Sequence, residues 1–293
     1  MLAALSACSR EPAHRSFATP EEAVGALATA VKAGQLDEVT AIFGPEGQDL
    51  IDSSDPVSAR RNQQVFTAAM KERWRLEESG PTGRVLVIGN EDWPFPVPLV
   101  KDRNGWRFDT AAGKEEVIAR RVGRNELAAI LISHTYVAAQ RLYAERGHDG
   151  RQPGLYASTF RSDPGRQNGL YWPAVRGQKR SPLGDLVARA AEEGARPGQA
   201  GAGPAPLHGY YFRILTAQGP AARGGEKDYV MNGALSGGFA LVAWPAQYDA
   251  TGVMTFIVNH EGVVHQKDLG AGTDAAARAM TRYDPDPSWT VVH

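Results

Sequence analysis

The chain has 293 residues, 42% hydrophobic and 22% charged, enough for one large or two ordinary domains with ample core material. Its 32 basic and 33 acidic side chains leave a net charge of −1, which offers no long-range field to steer nucleic acid or an anionic surface. No run approaches the roughly 18 to 20 apolar residues that span a bilayer as a helix, and 32 glycines with 19 prolines favour a loop-rich α+β protein over a helical bundle.

The one cysteine, Cys8, has no partner for an intramolecular disulfide. It lies between the apolar run Leu2-Ala3-Ala4-Leu5-Ser6-Ala7 and the polar stretch Ser9-Arg10-Glu11-Pro12-Ala13-His14-Arg15-Ser16. An apolar run, small residues and then a cut is the layout of an export signal. Leu5-Ser6-Ala7-Cys8 resembles the lipobox of bacterial lipoproteins. That resemblance implies a lipid at Cys8, a polar tether after it and a membrane leaflet as partner, with the protein on the periplasmic side of the cell envelope. Residues 1–16 are therefore read as truncated signal, lipobox and tether. Only seven residues precede Cys8 and none is basic, so a start codon assigned late or a clipped N-terminus is expected.

Thr19-Pro20-Glu21-Glu22 carries a capping threonine, proline at the first helical position and glutamate three residues after the cap. Val24, Leu27, Ala28 and Val31 recur at helical spacing until Gly34 closes the helix. A second helix is predicted over Leu36 to Phe43, and a third from about Ser58 to Arg75 carrying Val65, Phe66, Ala69 and Trp74. Arg84 to Gly89 reads as a strand. The segment from Pro94 to Thr110 reads as two strands around Asn104-Gly105, a pair suited to positive φ angles. Pro94, Pro96 and Pro98 lack donors, which predicts an edge or bulged strand. Residues 17–112 thus form an N-terminal domain of helices packed on a small antiparallel sheet.

Residues 113–293 form the second domain. A short helix is expected over Lys114–Val122 and a longer one over Asn125–Glu145, with Leu127, Ile130, Leu131, His134, Val137, Ala138 and Leu142 as its apolar stripe. A further helix is predicted near Ser181-Pro182-Leu183-Gly184. The low-complexity stretch near 194–207 reads as a flexible insertion inside this domain. Four strand-like runs follow, beginning at Gly209, Phe239, Gly252 and Gly262, with Asn259-His260-Glu261-Gly262 as the last hairpin turn. A small helix from about Thr273 to Tyr283 ends the chain.

The blocks EDWPFPVPLV, GWRFDTAAGKEE, GRNELAAI, NGLYWPA, HGYYFRILTAQGPA and GGFALVAWPAQYDATGVMTFIVN together resemble a bacterial family known as a domain of unknown function, numbered 2950, from Phe17 to the end. The resemblance implies export and brings no activity with it. In the second half, Ala243, Pro245, Gly252, Phe256, Val258, Gly262 and Val264 follow a pattern similar to the globular head of type IV pilins and pseudopilins. That likeness implies a long helix against an antiparallel sheet. It does not imply a filament subunit, because a whole domain and Lys114-Glu115-Glu116 precede the helix where pilins carry an apolar extension.

Candidate chemistry is sparse. Seven histidines occur without an H-E-x-x-H spacing or a cysteine pair. His134, on the predicted stripe, reads as a core histidine. His148-Asp149 has cation-ligand types but no third ligand nearby, and His260 reads as a turn residue. No G-x-S-x-G elbow is present, and the Gly224-Gly225 and Gly237-Gly238 pairs bound strands rather than open helices. Arg60-Arg61, Lys71/Arg73/Arg75 and Arg120-Arg121-Arg124 are mostly interleaved with acids and read as solvated faces. Among the aromatics, Trp106, Tyr210, Tyr211 and Trp244 read as packing, while Trp93, Tyr171 and Trp172 are candidates to line a groove for an envelope protein, peptide or glycan.

The favoured reading is a lipid-anchored envelope protein that binds or assembles without catalysis, with no cofactor, metal or nucleic acid. Two alternatives stay open: an exported cell-envelope hydrolase with a site composed from distant loops, and a cytoplasmic small-ligand module if the short N-terminus is real.

Overall fold

A computed structural model describes residues 14–48, 56–174, 180–183 and 206–293. Cys8, the insertion up to residue 205 and the helix expected beyond Leu183 lie outside the described residues. The chain divides into two compact units between Ala119 and Arg120, each a mixture of helices and antiparallel sheet.

In the first unit, helix α1 (Pro20–Ala33) starts as its sequence dictates. The Thr19 hydroxyl accepts the Glu22 N–H at 3.2 Å, and the Glu22 carboxylate accepts the Ala18 N–H at 3.1 Å. Gly34 ends the helix at φ 68°, where its N–H reaches the Ala30 and Val31 carbonyls. Ala23, Val24, Leu27 and Ala30 are buried, at about 1.5–3 kcal/mol for a side chain the size of leucine. Helix α2 (Leu36–Phe43) buries Val39, Ile42 and Phe43. Helix α3 (Pro56–Glu72) stops three residues short of the predicted end, because Trp74 belongs to strand β1 (Trp74–Glu78). Val65, expected on the inner face of α3, is exposed.

Strand β1 pairs with β2 (Gly83–Ile88). β2 then pairs twice with the proline-rich segment: with β3 (Trp93–Pro94) at one end and β4 (Leu99–Asp102) at the other. Phe95 donates to Leu86 at 2.7 Å between them, while Pro96 and Pro98, lacking N–H groups, interrupt the ladder. The segment is therefore bulged, as its prolines predict: four residues, Phe95 to Pro98, face only Val85 and Leu86 of β2, while β4 itself pairs on its other side with β5 (Gly105–Phe108). The β4–β5 turn differs from the expected one. Asp102 accepts the Asn104 N–H at 2.8 Å, and only Gly105 has positive φ, at 123°. A Cβ at Gly105 would lie 2.4 Å from the Phe17 carbonyl oxygen, whose residue exchanges two 2.8 Å hydrogen bonds with Trp106. The core of this unit is aliphatic and aromatic, with Phe43 edge-on to Phe108 at 5.2 Å.

One helix, α4 (Thr110–Ala144), replaces the two that were expected. Gly123 is unfavourable there by about 1 kcal/mol relative to alanine, yet no proline removes a hydrogen bond along its length. Residues Thr110–Ala119 belong to the first unit and the remainder to the second. The second unit's sheet runs β14 (Thr290–Val291), β13 (Val264–Asp268), β12 (Met254–Asn259), β11 (Ala240–Pro245), β6 (Tyr210–Leu215), antiparallel throughout. Every residue of β11 and all but the first of β12 are buried, so both faces of the sheet centre are covered.

The stripe predicted on α4 is the wrong face. Leu127 and Leu131 are 69% and 58% exposed, His134 and Ala138 are exposed too, and only Val137 of the seven is buried. The inward face carries Ala129, Ile132, Ser133, Tyr136, Gln140 and Tyr143. His134 is consequently not a core histidine. Two short hairpins, β7 (Ala217–Gln218) with β8 (Lys227–Asp228) and β9 (Val230–Met231) with β10 (Ala234–Leu235), complete the strands. Helix α5 (Thr273–Ala279) ends earlier than expected, because Met280 turns extended and the Tyr283 backbone pairs with Ala217 and Gly219.

Candidate functional site

The three aromatic residues singled out as groove candidates separate. Trp93 lies in the first unit, 45% exposed, with its ring edge-on to Phe95 at 6.2 Å. Tyr171 and Trp172 adjoin in a loop of the second unit. The Arg161 guanidinium sits 5.3 Å over the Tyr171 ring. Trp172 is only 4% exposed, with its ring 5.3 Å from that of His148, so it is packing rather than a groove wall. Cys8 lies outside the described residues.

The His148-Asp149 pair is committed to loop structure. The imidazole is buried, stacked on Tyr143 at 4.2 Å, with Nδ1 3.4 Å from Gln167 Oε1. The Asp149 carboxylate accepts the Gln167 N–H at 2.9 Å and Arg166 Nε at 3.2 Å, which occupies both oxygens. Among the described residues no three His, Cys, Asp or Glu side chains are grouped to hold a metal ion.

Sequence reasoning missed a polar cluster inside the second unit. Tyr136 donates to the Ala240 carbonyl at 3.1 Å. Gln140 donates from Nε2 to the Tyr136 hydroxyl at 3.1 Å and to the Ala157 carbonyl at 2.7 Å, and its Oε1 accepts the Ala157 N–H at 2.9 Å. Tyr229 donates to Gln218 Oε1 at 2.7 Å, while Gln218 Nε2 reaches the Arg223 and Gly225 carbonyls. The Tyr283 hydroxyl and His265 Nδ1 are 3.2 Å apart. Asn259 Oδ1 accepts the Glu261 N–H at 3.0 Å, and the His260 ring stands edge-on to Tyr229 at 5.6 Å. The signal for this cluster is an amide inside the otherwise apolar Ala138-Ala139-Gln140 run and another ending the Phe256–Asn259 strand. Tyr136 and Ala240 lie 104 residues apart and Gln140 and Ala157 lie 17 apart, in different elements, so spacing alone does not assemble it.

Burial sets the chemistry of these groups. It pushes the Tyr136 and Tyr283 phenols well up and Tyr229 up to about 12. It lowers His260 and His265, in the former case helped by Lys227. Protonated phenols at neutral pH serve as hydrogen-bond donors, Tyr136 to a backbone carbonyl and Tyr229 to a side-chain amide. These bonds tie α4 to β11 and to the Ala157 loop, and close the 217–229 segment on itself.

The surface offers a second feature. An open recess of about 460 Å³ lies between the Gly150–Leu155 segment and the β9–β10 turn, with Arg151, Gln152, Pro153, Leu155, Asn232 and Gly233 among its walls. Asn232 and Gly233 both have positive φ (53° and 74°), as a two-residue type I′ hairpin turn requires. The Asn-Gly pair at residues 104 and 105 also marks a hairpin, with its turn one residue earlier at Arg103-Asn104, whereas here Asn and Gly are themselves the two turn residues. A family model described as Protein of unknown function (DUF2950) matches residues 14–292. No curated protein and no solved structure matches the chain.

Proposed function

The chain belongs to the family described as Protein of unknown function (DUF2950), and from that premise we propose that it is a bacterial envelope lipoprotein that binds or assembles rather than catalyses. The observation that carries this reading is the run Leu5-Ser6-Ala7-Cys8 around the chain's one cysteine, followed by a polar stretch up to Ser16. A lipid on Cys8 holds the two units at the periplasmic side of a membrane leaflet, where the partner is another envelope protein, a peptide or a glycan. The non-catalytic half draws support from the interior of the second unit, where buried phenols and imidazoles are pushed away from their charged forms and Tyr136 and Tyr229 are already engaged by the Ala240 carbonyl and by Gln218. The pilin-head likeness is used for the arrangement of helix and sheet alone, not for filament assembly.

Metabolic labelling with palmitate tests the anchor. The native gene product takes up label, globomycin blocks its processing, and Cys8→Ser abolishes the label. A wild-type protein that stays unlabelled and freely dispersed in the cytoplasm sinks the reading.

A further inference from the structure

The recess beside the β9–β10 turn has features that the interior cluster lacks. It is open to solvent, and it carries unengaged polar groups. The Arg151 guanidinium and the side-chain amides of Gln152 and Asn232 make no hydrogen bond or ion pair with the described residues. The nearest carboxylate in sequence, Asp149, is already held by Arg166 and the Gln167 N–H. A free guanidinium is a fixed fork of donors suited to a carboxylate. Around it the surface is apolar. Pro153 and Leu155 line the recess, and Val230 and Met231 on the adjoining strand are 44% and 54% exposed.

The walls are held in place by backbone bonds. Arg151 N–H donates to the His148 carbonyl at 2.9 Å, Gly154 N–H to the Ala144 carbonyl at 2.8 Å, and Tyr156 N–H to the Leu235 carbonyl at 2.8 Å. Gly147 is at φ 59°, and a Cβ there would lie 2.5 Å from the Arg151 carbonyl oxygen. The approach to the recess is therefore fixed before any ligand arrives, which spares a ligand the cost of ordering it. The volume falls at the small end of the range typical of small-molecule sites, about 300–1,000 Å³.

We propose that this recess binds a carboxylate carrying a short aliphatic group. Arg151 takes the carboxylate, Gln152 and Asn232 take adjacent amide or carbonyl groups, and Leu155 and Pro153 take the aliphatic part. This chemistry is shared by the C-terminal end of a peptide and by a free short-chain acid. The proposal rests on the binding half of the function proposed above and not on the lipid anchor.

Titration of the isotopically labelled full-length protein with N-acetyl-alanyl-alanine, its C-terminal amide, butyrate and inorganic phosphate, followed by NMR, tests it. The free acid should give saturable shifts at Arg151, Gln152, Asn232 and Gly233. Arg151→Gln and amidation of the ligand should each weaken binding by about 10- to 100-fold, the worth of one charge-assisted hydrogen-bond pair. The Arg151 side chain makes no hydrogen bond or ion pair with the described residues, and its backbone bond to His148 is untouched by the substitution, so the variant should keep the wild-type melting temperature. Butyrate binding as tightly as the dipeptide assigns the site to free acids, and much weaker binding assigns it to peptide ends. Equal binding of acid and amide, an unaffected Arg151→Gln, phosphate binding more tightly than either acid, or no saturation would overturn the proposal. Palmitate labelling at Cys8 is read separately, so a silent recess on a labelled protein sinks this inference and leaves the anchor standing.

Discussion

All nine tyrosines of the chain lie beyond Arg120, while the first unit fills its interior with five of the nine phenylalanines and Trp106. The difference goes beyond composition. In the first unit Phe43, Phe95 and Phe108 meet ring to ring with nothing to hydrogen-bond, and its charges pair outside, as Arg73 and Arg75 do with Asp92. In the second unit the rings carry hydroxyls that must each find a partner. They find it in Ala240, Gln218, Met254 and His265. A dry core accepts any packing of the right volume, whereas a hydrogen-bonded one accepts only the geometry that satisfies it.

Alkali should separate the two units most sharply. A buried phenol with its folded pKa raised above the unfolded value of 10.0 holds its proton better when folded. Its contribution is therefore complete below about pH 10 and is lost as pH rises through the folded value, about 12 for Tyr229. Tyr136, Tyr210 and Tyr283 shift in the same direction for the same reason, burial. Hydrogen exchange across pH 9 to 12 should show β11 and β12 losing protection while β2 keeps it longer, with tyrosinate absorbance rising in step with the loss. Acid acts through His260 and His265, whose folded pKa values are lowered, so the second unit also loses stability as pH falls through 6.5. Equal loss of protection in both units at high pH would remove the contrast.

Gln140→Leu should give the largest single-site effect of the conservative kind. It keeps the volume but strips the Ala157 N–H and carbonyl and the Tyr136 hydroxyl of their partner, at about 2–5 kcal/mol in denaturant unfolding. Leu86→Met, an equally buried site in the first unit, should cost under about 1.5 kcal/mol. If both variants shift the unfolding midpoint alike, the two cores do not differ as argued.

The same contrast explains what could be read from sequence. Local signals worked wherever the structure is local: Thr19 and Pro20 start α1, Gly34 stops it, and Asn259 to Gly262 turn the β12–β13 hairpin. The α+β class and the strand runs of the second sheet follow from such signals. Reading failed on α4, where apolar residues were assumed to face inward. Leu127 and Leu131 point out, while Tyr136 and Gln140 point in because backbone groups outside the helix, at Ala240 and Ala157, complete their hydrogen bonds, and Ser133 points in with its hydroxyl held by the Ala129 carbonyl of its own helix. The interior cluster was invisible for that reason. The recess was missed because Arg151 and Asn232, some eighty residues apart, each look like ordinary loop residues.

Smaller effects belong to the first unit's surface and caps. Thr19→Ala removes the acceptor for the Glu22 N–H and should cost about 1 kcal/mol, with exchange quickening in the first turn of α1. Arg75→Ala should do less still. Arg75, Asp92 and Glu77 are all substantially exposed, and Arg73 continues to hold Asp92 after the substitution. Water and salt already screen such pairs, so the denaturation midpoint should stay where it is, at low and high ionic strength alike. A clear loss confined to low salt would mean that Asp92, at φ 52° in the turn before β3, depends on both arginines to hold that turn. The first unit would then carry a polar constraint of the kind argued here only for the second.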